Sequence, residues 1–328
     1  MADFLVRAFG VLLLLTTLAV AMSRAPDRSA ESLVARWAPP PSDFIEVQGQ
    51  IVHIRDEGPR HTGSNDLTDP PPIVLLHGTG ASLHTWDGWA QALRGQRRVI
   101  RFDLPGFGLT GPWSDSFSGD YPHANYEGDA YARFTLAVLD ALKVQRAVLA
   151  GNSLGGEVAW RTAWLAPGRV ASLVLVDASG PAFTPKEMPL GFLMARVPVL
   201  NRVSEWLLPR ELVARSVKAV YGDPARVTPE LVDRYYELTQ REGNRRALST
   251  RLQHLVNGAD ADRIATLKLP TLILWGGRDR LIPPENGRWF EQQIAGSRRV
   301  PFDSLGHVPQ EEDPAATVLP VKTFLGLK

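Results

Sequence analysis

One serine in this chain stands between glycines at a spacing that suits a nucleophile: Gly151-Asn152-Ser153-Leu154-Gly155, with "RAVLA" before it and "GEVAW" after it. A hydroxyl attacks poorly until a base takes its proton, and that base must be held in one tautomer by a carboxylate. Glycines on both sides fit a sharp strand-to-helix turn that lifts the serine above a sheet, where neighbouring backbone leaves no room for a Cβ. The same turn sets Ser153 at a helix N-terminus, whose amides and dipole favour developing negative charge. A plain tight turn would account for the glycines but not for the serine.

Seven histidines compete to be the base. His307, in "SLGHVPQEEDP", follows the last apolar run and lies downstream of every other candidate group. His53 falls in an early hairpin, His61 and His123 in loops, and His254 on a helix, all settings for solvated or packed rings. Asp279, in "LILWGGRDRLIPP", follows the preceding strand. Nucleophile, acid and base then run in the chain order Ser153, Asp279, His307. Asp177, in "LVLVDASG", competes for the acid's place because it too ends a strand; a turn cap or a surface carboxylate is its plainer reading. Stabilising the oxyanion takes backbone amides aimed at the developing charge. Leu154, directly after the serine, supplies one. The turn in "IVLLHGTGAS" supplies another at Thr79, with Gly80 as the neighbouring alternative, while His77 reads as a hydrogen bonder that organises the loop.

Composition removes other chemistries. The 328 residues include no cysteine and carry a formal charge of +1, with the arginines scattered. Disulfides, thiolate nucleophiles and cysteine-held metals are excluded, and no histidine spacing suits a metal, so neither metal nor cofactor is expected. Nothing favours nucleic acid. Gly78-Thr79-Gly80 after a strand, with Asp103 ending the next, imitates a dinucleotide fingerprint. Leu83 stands where the third glycine belongs, however, and Pro105-Gly106 follows the acid. The expected partner is a small molecule, and the oligomeric state stays open.

These residues need a frame. "DFIEVQGQIVHIRDEG" reads as a hairpin turning at Gln48-Gly49. Four short apolar runs then alternate with helical patterns, which implies a parallel sheet covered on both faces. Residues 181–264 break that rhythm with helical periodicity alone and read as a lid inserted between two parts of a core, 43–180 and 265–328. At the front, "FGVLLLLTTLAVAM" follows Arg7 and reads as a signal peptide, cut after Ala21, or as a retained membrane anchor within residues 1–22. Residues 23–42 read as a Pro-rich linker. The chain is therefore expected to be exported or membrane-anchored.

Taken together, "HGTG", "FDLPGFGLT", "GNSLGG", "WGGRD" and "GHVPQEEDP" resemble, in their order, the α/β-hydrolase superfamily over roughly residues 43–328. The resemblance implies an eight-stranded, mostly parallel sheet with helices on both faces and a helical lid over the serine. "GNSLGG" is also similar to the elbow of carbon–carbon hydrolases that cleave ring-opened aromatic products. Relatives that use an aspartate nucleophile, the haloalkane dehalogenases and epoxide hydrolases, are set aside by Ser153. Tyr235-Tyr236 resembles the epoxide-activating tyrosines only superficially, since adjacent helix positions face different directions. The expected activity is hydrolysis of a small or medium, largely apolar carboxylic ester through an acyl-enzyme. Carbon–carbon hydrolysis and ligand reception on the same fold are the alternatives.

Overall fold

The computed structural model describes residues 1–60, 70–117, 126–197 and 206–328; His61 and His123 lie outside them. Gln48 and Gly49 both take positive φ, 53° and 85°, as a two-residue hairpin turn requires. They join β1 (Ser42–Val47) to β2 (Gln50–Glu57) with Val47 opposite Gln50. The four apolar runs become β3 (Ile73–Leu76), β4 (Val99–Phe102), β5 (Ala147–Asn152) and β6 (Val170–Val176); β7 (Thr271–Gly276) follows the inserted helices, and β8 (Arg298–Phe302) closes the edge. The order is β1-β2-β4-β3-β5-β6-β7-β8. From β4 to β8 every pairing is parallel, and β2 meets β1 and β4 antiparallel.

Alternation along the buried strands sends successive side chains to opposite faces. Ile73 and Leu75 pack with Trp86, Trp89 and Val318 on one side. Val74 and Leu76 pack with Phe134, Val158 and Phe290 on the other. Parallel strands also end on one edge of the sheet, where the loops that follow them converge. The loops after β3, β5, β7 and β8 carry Thr79, Ser153, Asp279 and His307 to that edge. Between β6 and β7 the chain forms helices Leu190–Arg196, Arg210–Val220, Pro229–Thr239 and Asn244–His254.

The front of the chain departs from expectation. Residues 2–22 form a helix, but among the described residues no helix is long and apolar enough to cross a membrane. Asp3 lies in its first turn and Arg7 in its second. The apolar run 9–22 is only 14 residues long. At 1.5 Å per residue it reaches about 21 Å, against roughly 30 Å of hydrocarbon. The reading of a membrane-directed or exported chain is thereby corrected. The Pro-rich linker also turns out to be packed. Helix Ala30–Trp37 buries Leu33 against Leu109 and Leu238, and Trp37 Nε1 donates to Glu237 at 2.8 Å. Ala25 N–H donates to the Trp206 carbonyl and Arg28 N–H to that of Gln240. The segment thus straps onto the inserted helices through an apolar helix face that its prolines obscure.

Candidate active site

The turn after β5 is strained. Ser153 takes φ 56°, ψ −116°, at the N-cap of helix Leu154–Leu165, and its hydroxyl makes no capping bond. A Cβ on Gly151 would run into the Gly155 carbonyl, and one on Gly155 into that of Leu76. Only glycine lets these segments close on the serine. A non-glycine residue held at such a φ costs of order 1–3 kcal/mol, a strain typical of functional sites.

Asp279 and His307 come from separate loops and meet. His307 Nδ1 lies 2.7 Å from Asp279 Oδ2. The Asp279 Oδ1 accepts from the Leu281 and Ile282 amides at 2.8 and 2.9 Å. With Nδ1–H given to Asp279, Nε2 is left as the ring's acceptor, an assignment that follows from the hydrogen-bond network. His307 and Ser153 line the same cavity of about 130 Å³ beneath the inserted helices, together with Thr79 and Gly80. Among the described residues neither the Thr79 nor the Leu154 amide is donated to another group. Both amides thus remain available to an incoming oxygen.

Apolar side chains such as Phe192, Met194, Leu212, Val217 and Leu248 supply most of the remaining wall. Arg245 also reaches it, but is ion-paired with Asp27 of the N-terminal strap. His77 does organise its loop: Nε2 accepts from the Leu104 amide at 2.9 Å, and Nδ1 lies 2.8 Å from the Gly78 carbonyl. Burial holds this ring below the usual imidazole range, which keeps it neutral in that role.

Asp177, the rival acid, sits 0% exposed beside the pair. Its Oδ1 accepts from the Gly276 amide at 2.9 Å, and it is not a surface carboxylate. Burial first, and then the neighbouring Asp279 charge, push its carboxyl well above the usual range. Asp177, Asp279 and His307 offer ligand atoms all within 4.8 Å of one another, close enough to share an ion. Asp279 and His307 already satisfy each other, however, and the Asp279 oxygens hold two amides besides.

Three supporting residues escaped the sequence. Asn152, inside the glycine motif, donates through Nδ2 to the His307 carbonyl at 2.9 Å and ties the serine turn to the histidine loop. Glu312 accepts from the amides of Gly306, Gly222 and Asp223. It thereby clamps the histidine loop to the inserted helices, and "EED" in the last motif was its only signal. Asp27 had no signal.

The chain belongs to the α/β-hydrolase fold family, whose model matches residues 71–314. It is 30% identical to 2-hydroxy-6-oxo-2,4-heptadienoate hydrolase of Pseudomonas putida over 298 residues, 86% of this chain and 99% of that one. It is 33% identical over 223 residues to the dihydrolipoyllysine-residue acetyltransferase component of the acetoin cleaving system of Pseudomonas putida. That match covers 66% of this chain and spans only about half, 54%, of the relative. Among solved structures, a variant of the meta-cleavage product hydrolase of Pseudomonas fluorescens IP01, complexed with acetates, superposes with TM-score 0.70 at 25% identity. The superposition covers 87% of this chain and 97% of that one. The protein is thus a hydrolase of this fold.

Proposed function

We propose that the protein hydrolyses a neutral, largely apolar carboxylic ester, with Ser153 as nucleophile and residues 181–264 as its lid. His307 Nε2 takes the Ser153 proton as Oγ bonds to the carbonyl carbon. The Thr79 and Leu154 amides hold the oxyanion, aided by the helix N-terminus. The carbon–oxygen bond to the alcohol breaks, and the alcohol leaves with the proton from His307. Water, deprotonated by His307, then releases the acid and restores Ser153. Asp279 orients the imidazole and offsets its charge. The observation that carries this reading is the shared cavity: a strained serine and an Asp-held histidine face an apolar space.

A second reading is carbon–carbon hydrolysis of a ring-opened 2-hydroxy-6-oxo acid, supported by the substrate in the name of the 30% identical relative. Such a substrate brings a carboxylate, which calls for a cation in the pocket. Arg245 reaches the wall, but Asp27 already offsets its charge, which favours the neutral ester. A series of p-nitrophenyl esters of rising acyl length, run beside 2-hydroxy-6-oxohepta-2,4-dienoate, decides between them. The ester reading expects kcat/KM to peak on a short or medium ester and to exceed that on the dienoate. A dienoate turned over faster than every ester reverses the order of the two readings.

A further inference from the structure

Asp177 and Asp279 are both buried, 0% and 2% exposed, and their carboxyl oxygens reach within 4.8 Å of each other and of His307. Two carboxylates this close and this dry do not both ionise. Their hydrogen bonds say which one gives way. Asp279 takes three N–H donors, from Leu281, Ile282 and His307, at 2.7–2.9 Å. Asp177 takes one, from Gly276, and its Oδ2 is fully buried without a donor. An ionised Oδ2 would be a bare charge facing another; a protonated Oδ2 is a donor with an acceptor at hand. We propose that Asp177 is a positioning residue whose protonated Oδ2–H donates to the Asp279 carboxylate, holding it for His307 and leaving the cluster one negative charge.

The proposal rests on Asp279 being the acid partner of His307. The titratable groups around Asp177 fit it. Asp279 and His307 face it from the loops after β7 and β8, and Glu312 adds a third carboxylate from Pro309–Glu312. Burial, and next Asp279, raise the Asp177 carboxyl, and Glu312 acts in the same direction. The Glu312 oxygens are spent on the amides of Gly306, Gly222 and Asp223, so Glu312 offers Asp177 no donor. The backbone also suits the test. Asp177 stands at φ 43°, a conformation that asparagine and glycine tolerate better than other residues.

Asp177→Asn keeps an oxygen for the Gly276 amide and an N–H for Asp279 but cannot ionise. Asp177→Gly keeps the backbone and removes the donor. The wild-type protein at neutral pH is expected to show an infrared carbonyl band of a protonated carboxylic acid that both variants lack. On an ester substrate, Asp177→Asn should keep kcat within about threefold, whereas Asp177→Gly should lose roughly tenfold to a hundredfold at unchanged KM, the scale of one hydrogen bond to a charged group. Absence of the infrared band, or an Asp177→Asn variant as slow as Asp177→Gly, overturns the proposal. The infrared measurement needs no substrate, so it survives a wrong choice of ester. If the band is present but Asp279→Asn keeps full activity, the acid assignment falls and this role falls with it. If the band is missing while Asp279→Asn is inactive, the role of Asp177 alone is lost.

Discussion

Two histidines in this molecule are held by a buried aspartate at the same 2.7 Å, and each has a serine near it, but of the two only His307 lines the cavity at Ser153. In the first, Asp279 holds His307 at 2.7 Å and His307 lines the space beside Ser153. In the second, Asp103 holds His53 at 2.7 Å, and His53 Nε2 lies 3.0 Å from the Ser42 hydroxyl. What differs is everything around them. Ser42 begins an extended strand, its hydroxyl is gripped by Arg55 Nε at 2.8 Å, and its own amide is spent on the Pro39 carbonyl. Phe44 stacks on His53 with centroids 5.2 Å apart. Ser153 has a strained turn, a hydroxyl that caps nothing, and two undonated amides nearby. A charge-holding array becomes a candidate for catalysis when its serine is free and an oxyanion has somewhere to sit.

The largest effect should separate the two serines. Ser153→Ala is expected to lower kcat by about a million-fold, as removal of a triad nucleophile does. A fluorophosphonate should add its mass to the wild-type chain and leave the Ser153→Ala chain unlabelled, even though Ser42 still has its His–Asp pair. Intact-mass spectrometry reads this directly. Labelling on the Ser42 peptide would break the comparison.

Next come the two aspartates. Asp279→Asn should cost about 10⁴ in kcat through the wrong imidazole tautomer. Asp103→Asn should leave kcat of the folded protein within a few-fold but cost roughly 3 kcal/mol or more of stability, because Asp103 also accepts from the Leu83 and Leu109 amides at 2.7 and 2.8 Å. The pH dependences should have opposite signs for the buried aspartates. Burial alone would raise Asp103, but the histidines around it, His53 first, together more than offset it and the carboxyl sits below the usual range. Its contribution is present above the unfolded value of 3.8 and fades as pH falls through the folded value. Asp177 is raised, so the native state holds a proton that the unfolded chain has released, and stability falls as pH climbs above 3.8. Urea unfolding should therefore show the gap between wild type and Asp103→Asn widening with rising pH. The gap to Asp177→Asn should change in the opposite direction. Two gaps with the same slope would contradict the contrast.

The residues legible in the sequence were those whose type is dictated by chemistry and whose neighbours are dictated by local backbone. Ser153 carried its glycines with it, and Gln48-Gly49 announced its hairpin. The contact of Asp279 with His307 followed from strand ends meeting at one edge. Partners set by tertiary contact stayed hidden. Asn152 bonds across 155 residues and Asp27 pairs with Arg245 across 218. The Ser42 array had no glycine to betray it and no need of one. At the N-terminus the apolar run suggested a membrane by its character, but its 14 residues fall short of a span. The helix Ala30–Trp37 was read by its prolines rather than by the spacing of Leu33 and Trp37, which lie four apart on one helix face.

The smallest expected effect tests whether the second array is only structural. Ser42 accepts from Arg55 and, with His53 Nδ1–H given to Asp103, donates to His53 Nε2. Ser42→Ala removes both bonds but introduces no charge and no large cavity. Arg55 keeps its ion pair with Asp87 at 3.1 Å, so its guanidinium is not stranded. His53 is fully buried, so its Nε2 is left without a donor beside the space the hydroxyl vacates. The net cost should be about 1–3 kcal/mol of unfolding free energy, the scale of a buried acceptor left without its donor. Turnover should be unchanged within error, because none of Ser42, His53 and Asp103 lines the cavity at Ser153. Urea unfolding and ester kinetics on one preparation measure both. A fall in kcat beyond about tenfold, at a stability loss this small, would show that the hairpin array is coupled to the site after all.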